Sequence, residues 1–431
     1  MTRARRPWPA ERAGGLALWA LVALVACQSD PVALPAADAG GDARFVDLAG
    51  LPDGVVIRED ARVEPPDAAR LDDAGRLCRT GSTTGIVCAP DGTPIGEARV
   101  VATSRDCDGR AEVFETRADG DGHFRFPALA PGPATITVES GSFLGTFEVE
   151  IIAGVNVPAG GGISDKICLE SRAARLAVLT GDFDRIQLIL GSLGFEHDLY
   201  CGDGINSRGG RALLADPAAL GAYDIVFVNC ASGIDFRATN PEVQATIEHL
   251  RRFVAEGGSV YASDLAGDLV QQAWPGFVEL GLRARPAAEA DACCVCGDCP
   301  PACVADPPRP PRACQGCCPD ANTQPEDCPR GGGVAGSGMA GTVAGRLEAP
   351  FLATALGADA VDVIFNLGGW VPILRHDPRV QVLVRAEDGR PLMVLFEPVP
   401  GGGRVAYTSF HNHAQATDAM TRILAALVLR L

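Results

Sequence analysis

Tyr223-Asp224-Ile225-Val226-Phe227-Val228 is a short run rich in β-branched and aromatic residues, and Ser259-Val260-Tyr261-Ala262 repeats the pattern downstream. Between them, Pro241 to Glu256 carries Val243, Ile247, Leu250 and Val254 on one helical stripe, and Gly257-Gly258 ends it. Two apolar runs without polar alternation, joined by a helix, read as neighbouring parallel strands covered on both faces. Upstream, Leu176-Ala177-Val178-Leu179 is a strand of the same kind. An amphipathic helix from about Asp184 to Leu193 and a second strand within Phe195 to Tyr200 follow it. Downstream, strands are expected at Val361–Phe365, Val380–Val384, Leu392–Phe396 and Arg404–Thr408, with a closing helix from about Ala414 to Leu429. This alternation predicts a doubly wound α/β domain, flavodoxin-like in layout, over residues 171–431. Residues 286–340 interrupt it with nine cysteines, many prolines and Gly331-Gly332-Gly333, a composition that builds no core without cross-links.

Residues 79–170 have a different period. Short alternating runs at Gly85–Cys88, Ala98–Thr103, Glu112–Thr116, His123–Phe126, Ala134–Glu139 and Phe147–Ile152 are broken by Pro90-Asp91-Gly92, Asp119-Gly120-Asp121-Gly122 and Pro131-Gly132-Pro133. Strands this short and frequent predict a small antiparallel β-sandwich. Asp119-Gly120-Asp121-Gly122 has part of a calcium-loop pattern but lacks the glutamate at its twelfth place, and it reads as a hairpin turn. Before the sandwich, residues 27–78 form an acidic tether: residues 28–77 hold eleven acidic residues against five Arg, too little apolar surface to offset ordering.

The chain has 431 residues and a net charge of −17, and Lys166 is its single lysine. That balance excludes a phosphate-backbone binder, so no nucleic-acid partner is expected. Sixteen cysteines point to an oxidising compartment. Arg3, Arg5, Arg6 and Arg12 precede an apolar stretch from Leu16 to Ala26, too short to span a bilayer. Leu24-Val25-Ala26-Cys27 ends it and resembles a bacterial lipobox. The resemblance implies a lipoprotein signal peptide over 1–26, lipidation of Cys27 and membrane attachment through that lipid. Removing four Arg and Glu11 from a chain of −17 leaves a mature charge of −20. Gln28, rather than Asp, at the second mature position favours the outer membrane or cell surface of the bacterial envelope.

Within the sandwich, Gly85-Ile86-Val87, Asp91-Gly92-Thr93-Pro94-Ile95, Thr116 to Phe124 and Leu129-Ala130-Pro131-Gly132 follow one another in order. Residues 84–156 thereby resemble the carboxypeptidase regulatory-like (transthyretin-like) domain. The resemblance implies a structural or binding module, with carbohydrate or another envelope protein as its ligand class. In the α/β part, Tyr261-Ala262-Ser263-Asp264-Leu265-Ala266 and Val405 to Asn412 resemble the class I glutamine amidotransferase-like superfamily, trehalose-utilisation-like members included. Active relatives place a cysteine at the centre of G-x-C-x-G on a sharp strand-to-helix turn, and a histidine in F-H-P-E. Here the first motif reads Ala262-x-Asp264-x-Ala266 and the second Phe410-His411-Asn412-His413. The histidine is kept while the nucleophile and the acid are not, so amidotransfer is not expected.

Ser263 or Asp264 fills the nucleophile's place, depending on a one-residue alignment choice. With His411 as base and Asp264 or Asp268 to orient it, they form a candidate hydrolase set. The plainer account has Ser263 and Asp264 capping the helix that starts there. His411, His413 and Asp264 are a loose metal signal, and no metal is expected. Thr180-Gly181-Asp182-Phe183-Asp184 lacks the glycines of a dinucleotide loop, so no cofactor is expected either.

Cys230 sits after the third strand as a tempting nucleophile, but in an exported protein it is expected either to pair, with Cys201 as partner, or to remain a buried thiol. Cys78 and Cys168 flank the sandwich and are expected to staple its ends. In the insertion, Cys296 with Cys299 and Cys314 with Cys317 have zinc-site spacing. Outside the cytosol they and Cys293, Cys294, Cys303, Cys318 and Cys328 read as disulfides. The expectation is a lipid-anchored envelope protein serving as a non-catalytic binding or structural module. The alternative is a hydrolase using Ser263 or Asp264 with His411.

Overall fold

The computed structural model describes residues 56–58, 69–71, 73, 75, 77–161, 164–181, 183–200, 208–230, 241–284, 334–411 and 417–431. The leader with Cys27, together with Cys201 and His413, lies outside the described residues. So do the nine cysteines expected to form disulfides in the insertion: Cys293, Cys294, Cys296, Cys299, Cys303, Cys314, Cys317, Cys318 and Cys328. In chain order the sandwich region contains β1 (Val56–Arg58), β2 (Ala69–Leu71), β3 (Leu77–Arg79), β4 (Gly81–Cys88), β5 (Arg99–Arg105) and β6 (Ala111–Arg117). It continues with β7 (His123–Leu129), β8 (Gly132–Ser140), β9 (Phe143–Ile151), β10 (Asn156–Pro158) and β11 (Lys166–Cys168). One sheet runs β1-β6-β5-β8-β9; the other sets β4 between β7 on one side and β10 and β11 on the other.

The long strands pair antiparallel, with tight turns joining β5 to β6 and β8 to β9, while β4–β7 and β5–β8 pair across longer connections. Asp119 supports the turn between β6 and β7 by accepting from the amides of Asp121 and His123 at 3.0 and 2.8 Å; because β6 and β7 belong to different sheets, Asp119-Gly120-Asp121-Gly122 carries the chain from one sheet to the other rather than closing the hairpin expected. The short edge strands β1, β10 and β11 instead pair in parallel. Two of the strands, β1 and β2, fall inside the segment whose composition reads as tether. An edge strand needs a partner for its backbone, not a core of its own, so acidic composition did not exclude it.

The disulfides correct one expectation. Cys78 and Cys168 do not pair with each other: Cys78 bonds to Cys107, and Cys88 bonds to Cys168. The reason is register, since β11 lies beside β4 with Cys168 directly opposite Cys88.

The α/β part contains β12 (Leu176–Leu179), α1 (Ile186–Ser192), β13 (Asp198–Tyr200), α2 (Arg208–Ala215), α3 (Pro217–Leu220), β14 (Ile225–Val228), α4 (Pro241–Ala255), β15 (Ser259–Ser263) and α5 (Gly267–Ala273). After these come β16 (Val278–Leu280), β17 (Leu282–Ala284), β18 (Val334–Gly336), β19 (Gly341–Leu347), α6 (Pro350–Leu356), β20 (Ala360–Phe365) and β21 (Ile373–His376). The last elements are β22 (Gln381–Ala386), β23 (Pro391–Phe396), β24 (Val405–Thr408) and α7 (Asp418–Val428). The main sheet runs β13-β12-β14-β15-β24-β23-β22-β19-β20, parallel from β13 to β24 and antiparallel beyond. Strand β12 shows why its four residues are all apolar: Leu176 and Val178 join the core under α1 and α7, and Ala177 and Leu179 join the core under α2, α4 and α5. Strands β17 and β18 pair across the two ends of the cysteine-rich segment. Residues 334–340 thus belong to the folded domain, held also by the bond from Trp370 Nε1 to the Met339 carbonyl at 2.8 Å.

The sandwich and the α/β sheet share one apolar core. Val87, Ile136 and Phe143 of the sandwich are continuous with Leu176, Phe195 and Leu427, and the Phe143 and Phe195 rings lie 4.5 Å apart. Hydroxyls close the same seam: Ser140 donates to the Leu429 carbonyl at 2.6 Å, and Ser142 and Ser259 donate to Leu431 O at 2.7 and 3.0 Å. No helix among the described residues is long and apolar enough to cross a membrane.

Candidate functional site

The parallel strands β14, β15 and β24 are neighbours, and the chain leaves all three at the same sheet edge. At the end of β15 it turns sharply through a 3₁₀ turn, Asp264–Ala266, into α5. Asp264 carries the turn with φ of +45°, a left-handed conformation rare outside glycine that Asp tolerates better than most residues. The positive φ falls on Asp264 and not on Ser263, so Asp264 occupies the sharp strand-to-helix turn, or elbow. Ala262 and Ala266, buried on either side, are small enough to let the turn close.

Ser263 lies beneath the elbow. Its hydroxyl donates to Asp184 Oδ2 at 2.5 Å and accepts from the Cys230 amide at 3.0 Å, and the residue is fully buried. It does not bond to His411, and its side chain does not cap the following turn. The cap expectation fails, and the hydroxyl faces other groups: its proton and a lone pair are committed to buried Asp184, just before α1, and to the Cys230 amide, just after β14. Tyr261 shares that network, with its hydroxyl 3.5 Å from Asp184 Oδ2 and 3.2 Å from Thr408 Oγ1. Burial, with the Asp184 carboxylate adding to it, pushes the Tyr261 phenol well above its ordinary range.

Asp264 uses its two oxygens differently. Oδ1 accepts the Val371 amide at 2.7 Å, and Oδ2 lies 3.4 Å from Cys230 Sγ and 3.6 Å from His411 Nε2. Tyr407 braces the turn from below, its hydroxyl within reach of the Asp264 and Val371 carbonyls at 3.1 and 3.0 Å. His411 follows β24 and is buried, and its Nδ1 has no hydrogen-bond partner among the described residues. Asp268 does not orient it; its Oδ1 accepts the adjacent Leu269 amide at 2.7 Å.

Cys230 is a free, buried thiol. Burial first, and then the Asp264 carboxylate, push it well above the ordinary thiol range, so it is a neutral donor rather than a thiolate. Its place is the one unexpected member of the cluster. The register gives the signal: Val228 lies opposite Ala262, so two residues further along, Cys230 stands beside Asp264. Cys88 and Cys107, both disulfide-bonded, also escaped the sequence reading.

One cavity lined by described residues lies elsewhere. It measures about 340 Å³, is lined among others by Glu97, Arg379, Arg404 and Arg430, and sits near the start of β24, at the opposite end of the sheet from Asp264. Arg430 there gives hydrogen bonds to the Gly96 carbonyl and Glu97, while burial lowers its pKa from the ordinary arginine value.

The sandwich geometry has a family counterpart. Residues 82–160 match the carboxypeptidase regulatory-like domain. The regulatory-like domain accounts for the first folded part of the chain alone, and no curated protein sequence matches the chain. For the α/β part, similar solved structures include a putative GMP synthase protein from Thermoplasma acidophilum, at 9% identity and a TM-score of 0.33, covering 59% of this chain and 93% of that one. A glutamine amidotransferase from Thermotoga maritima is similar at 7% identity and a TM-score of 0.29, covering 59% of this chain and 82% of that one. A glutamine amido transferase from Methylobacillus flagellatus shows 10% identity and a TM-score of 0.31, covering 56% and 70%. The likeness concerns fold alone.

Proposed function

We propose that the protein is a lipid-anchored component of the bacterial cell envelope whose regulatory-like and amidotransferase-like parts serve as a non-catalytic binding or structural module. The observation that carries this reading is the chemistry at the elbow. The residue aimed by the turn is a carboxylate tied to the Val371 amide and 6% exposed, and Ser263 beneath it is 0% exposed. An acyl-transfer nucleophile needs a free, activated oxygen or sulfur facing a cleft, and neither Ser263 nor neutral Cys230 supplies one. The lipobox-like Leu24-Val25-Ala26-Cys27 supports attachment to the outer membrane or cell surface. Carbohydrate or another envelope protein is the ligand class, by analogy with regulatory-like domains.

The hydrolase alternative now rests on one contact, the 3.6 Å approach of His411 to Asp264. The discriminating experiment compares wild type with His411→Ala on purified peptidoglycan sacculi and on chromogenic ester, amide and glycoside substrates. A module binds sacculi equally in both forms and turns over nothing. Turnover by wild type that disappears in His411→Ala overturns the reading. Incorporation of labelled palmitate, lost in Cys27→Ala, tests the anchor separately.

A further inference from the structure

Cys230, Asp264 and His411 bring three different donor atoms together from the ends of three adjacent strands. Their ligand atoms all lie within 4.8 Å of one another, and all three residues are buried. The separations from Asp264 Oδ2 are 3.4 Å to the thiol and 3.6 Å to the imidazole. Donors around a tetrahedral ion with bonds of about 2.0–2.3 Å stand about 3.3–3.8 Å apart, and both separations from Asp264 Oδ2 fall in that range. Oδ1 of Asp264 is occupied by the Val371 amide, which fixes the carboxylate and turns Oδ2 toward the other two groups.

We propose that Cys230, Asp264 and His411 form a binding site for one divalent transition-metal ion of the zinc class. A thiol and an imidazole exclude calcium and magnesium, which take oxygen ligands, and one sulfur, one nitrogen and one oxygen suit zinc. Binding replaces the Cys230 S–H bond with a sulfur–metal bond and releases that proton to solvent, with no change of oxidation state. Thiolate and carboxylate together balance the two positive charges. The ion ties the ends of β14, β15 and β24 together, and with three protein donors a water molecule completes its coordination. The site goes beyond the module reading and depends on neither the anchor nor the ligand.

The test uses the full chain with its disulfides intact, stripped with EDTA and titrated with zinc by equilibrium dialysis. Wild type should bind one equivalent more than Cys230→Ser, Asp264→Asn or His411→Ala, and zinc should raise its melting temperature while leaving the variants unmoved. Equal stoichiometry in wild type and all folded variants overturns the proposal. Should the variants not fold, wild type is treated natively with iodoacetamide, which blocks accessible thiols and spares buried Cys230, and is then given cobalt(II). A thiolate-to-cobalt charge-transfer band supports the site; a spectrum without one overturns it.

Discussion

Gly141→Ala probes the seam between the two folded parts. Gly141 has φ of +59°, and a Cβ built there would stand 2.6 Å from the Leu431 carbonyl carbon, 2.7 Å from that of Arg430 and 2.9 Å from the Leu431 nitrogen. Each of these is backbone, so no side chain can swing aside. The left-handed conformation costs an alanine about 1–2 kcal/mol. Forcing extra volume into a packed contact adds about 1–3 kcal/mol, for a sum of roughly 2–5 kcal/mol. Gly154→Ala is the control, because Gly154 has φ of +71° with nothing within 4 Å of its Cβ position. It should cost only the conformational part, about 1–2 kcal/mol. Urea unfolding of the full chain, followed by tryptophan fluorescence and far-ultraviolet circular dichroism, reads the difference if the m-values agree. An excess loss of about 1–3 kcal/mol in Gly141→Ala is expected from the contact. Equal losses in the two variants refute the idea that the sandwich is seated on the end of the α/β domain.

Two further outcomes follow from the elbow. Asp264→Ala leaves the buried Val371 amide without its acceptor and should cost about 1–3 kcal/mol, whereas Asp264→Asn keeps an oxygen there and tolerates the left-handed turn, so it should cost clearly less. Identical losses by chemical denaturation contradict the assigned role of Oδ1. The Cys230 thiol has a folded pKa raised by burial, so its contribution to stability is complete below the unfolded thiol's pKa of about 8.5 and is lost progressively as pH rises above it. Cys230→Ser should therefore show a flatter fall in melting temperature between neutral and strongly alkaline pH, and parallel curves for variant and wild type exclude the thiol as the cause.

Much of the architecture was legible in local pattern. Leu176–Leu179 is a strand over those four residues, and Pro241–Ala255 is the helix its stripe announced. Both patterns report on burial faces, which are set by periods of two and 3.6 residues and so survive in a linear string. The same holds for the regulatory-like motifs, whose turn residues stand at fixed offsets. Short edge strands such as β1 were not legible, because backbone pairing leaves little mark on composition.

The linear chain showed which segments must be buried and where it must turn, and it singled out Ser263 or Asp264, with His411, at the ends of two strands. Only the tertiary structure decided that Asp264 rather than Ser263 takes the elbow, that Cys88 rather than Cys78 meets Cys168, and that Cys230 completes a cluster with Asp264 and His411. All three outcomes depend on register between strands far apart in the chain. Residues 228 and 262, or 263 and 408, become neighbours only when the sheet forms. A shift of one residue in that pairing moves each side chain to the other face, so the chemistry of the site resides in an alignment that no local stretch of sequence contains.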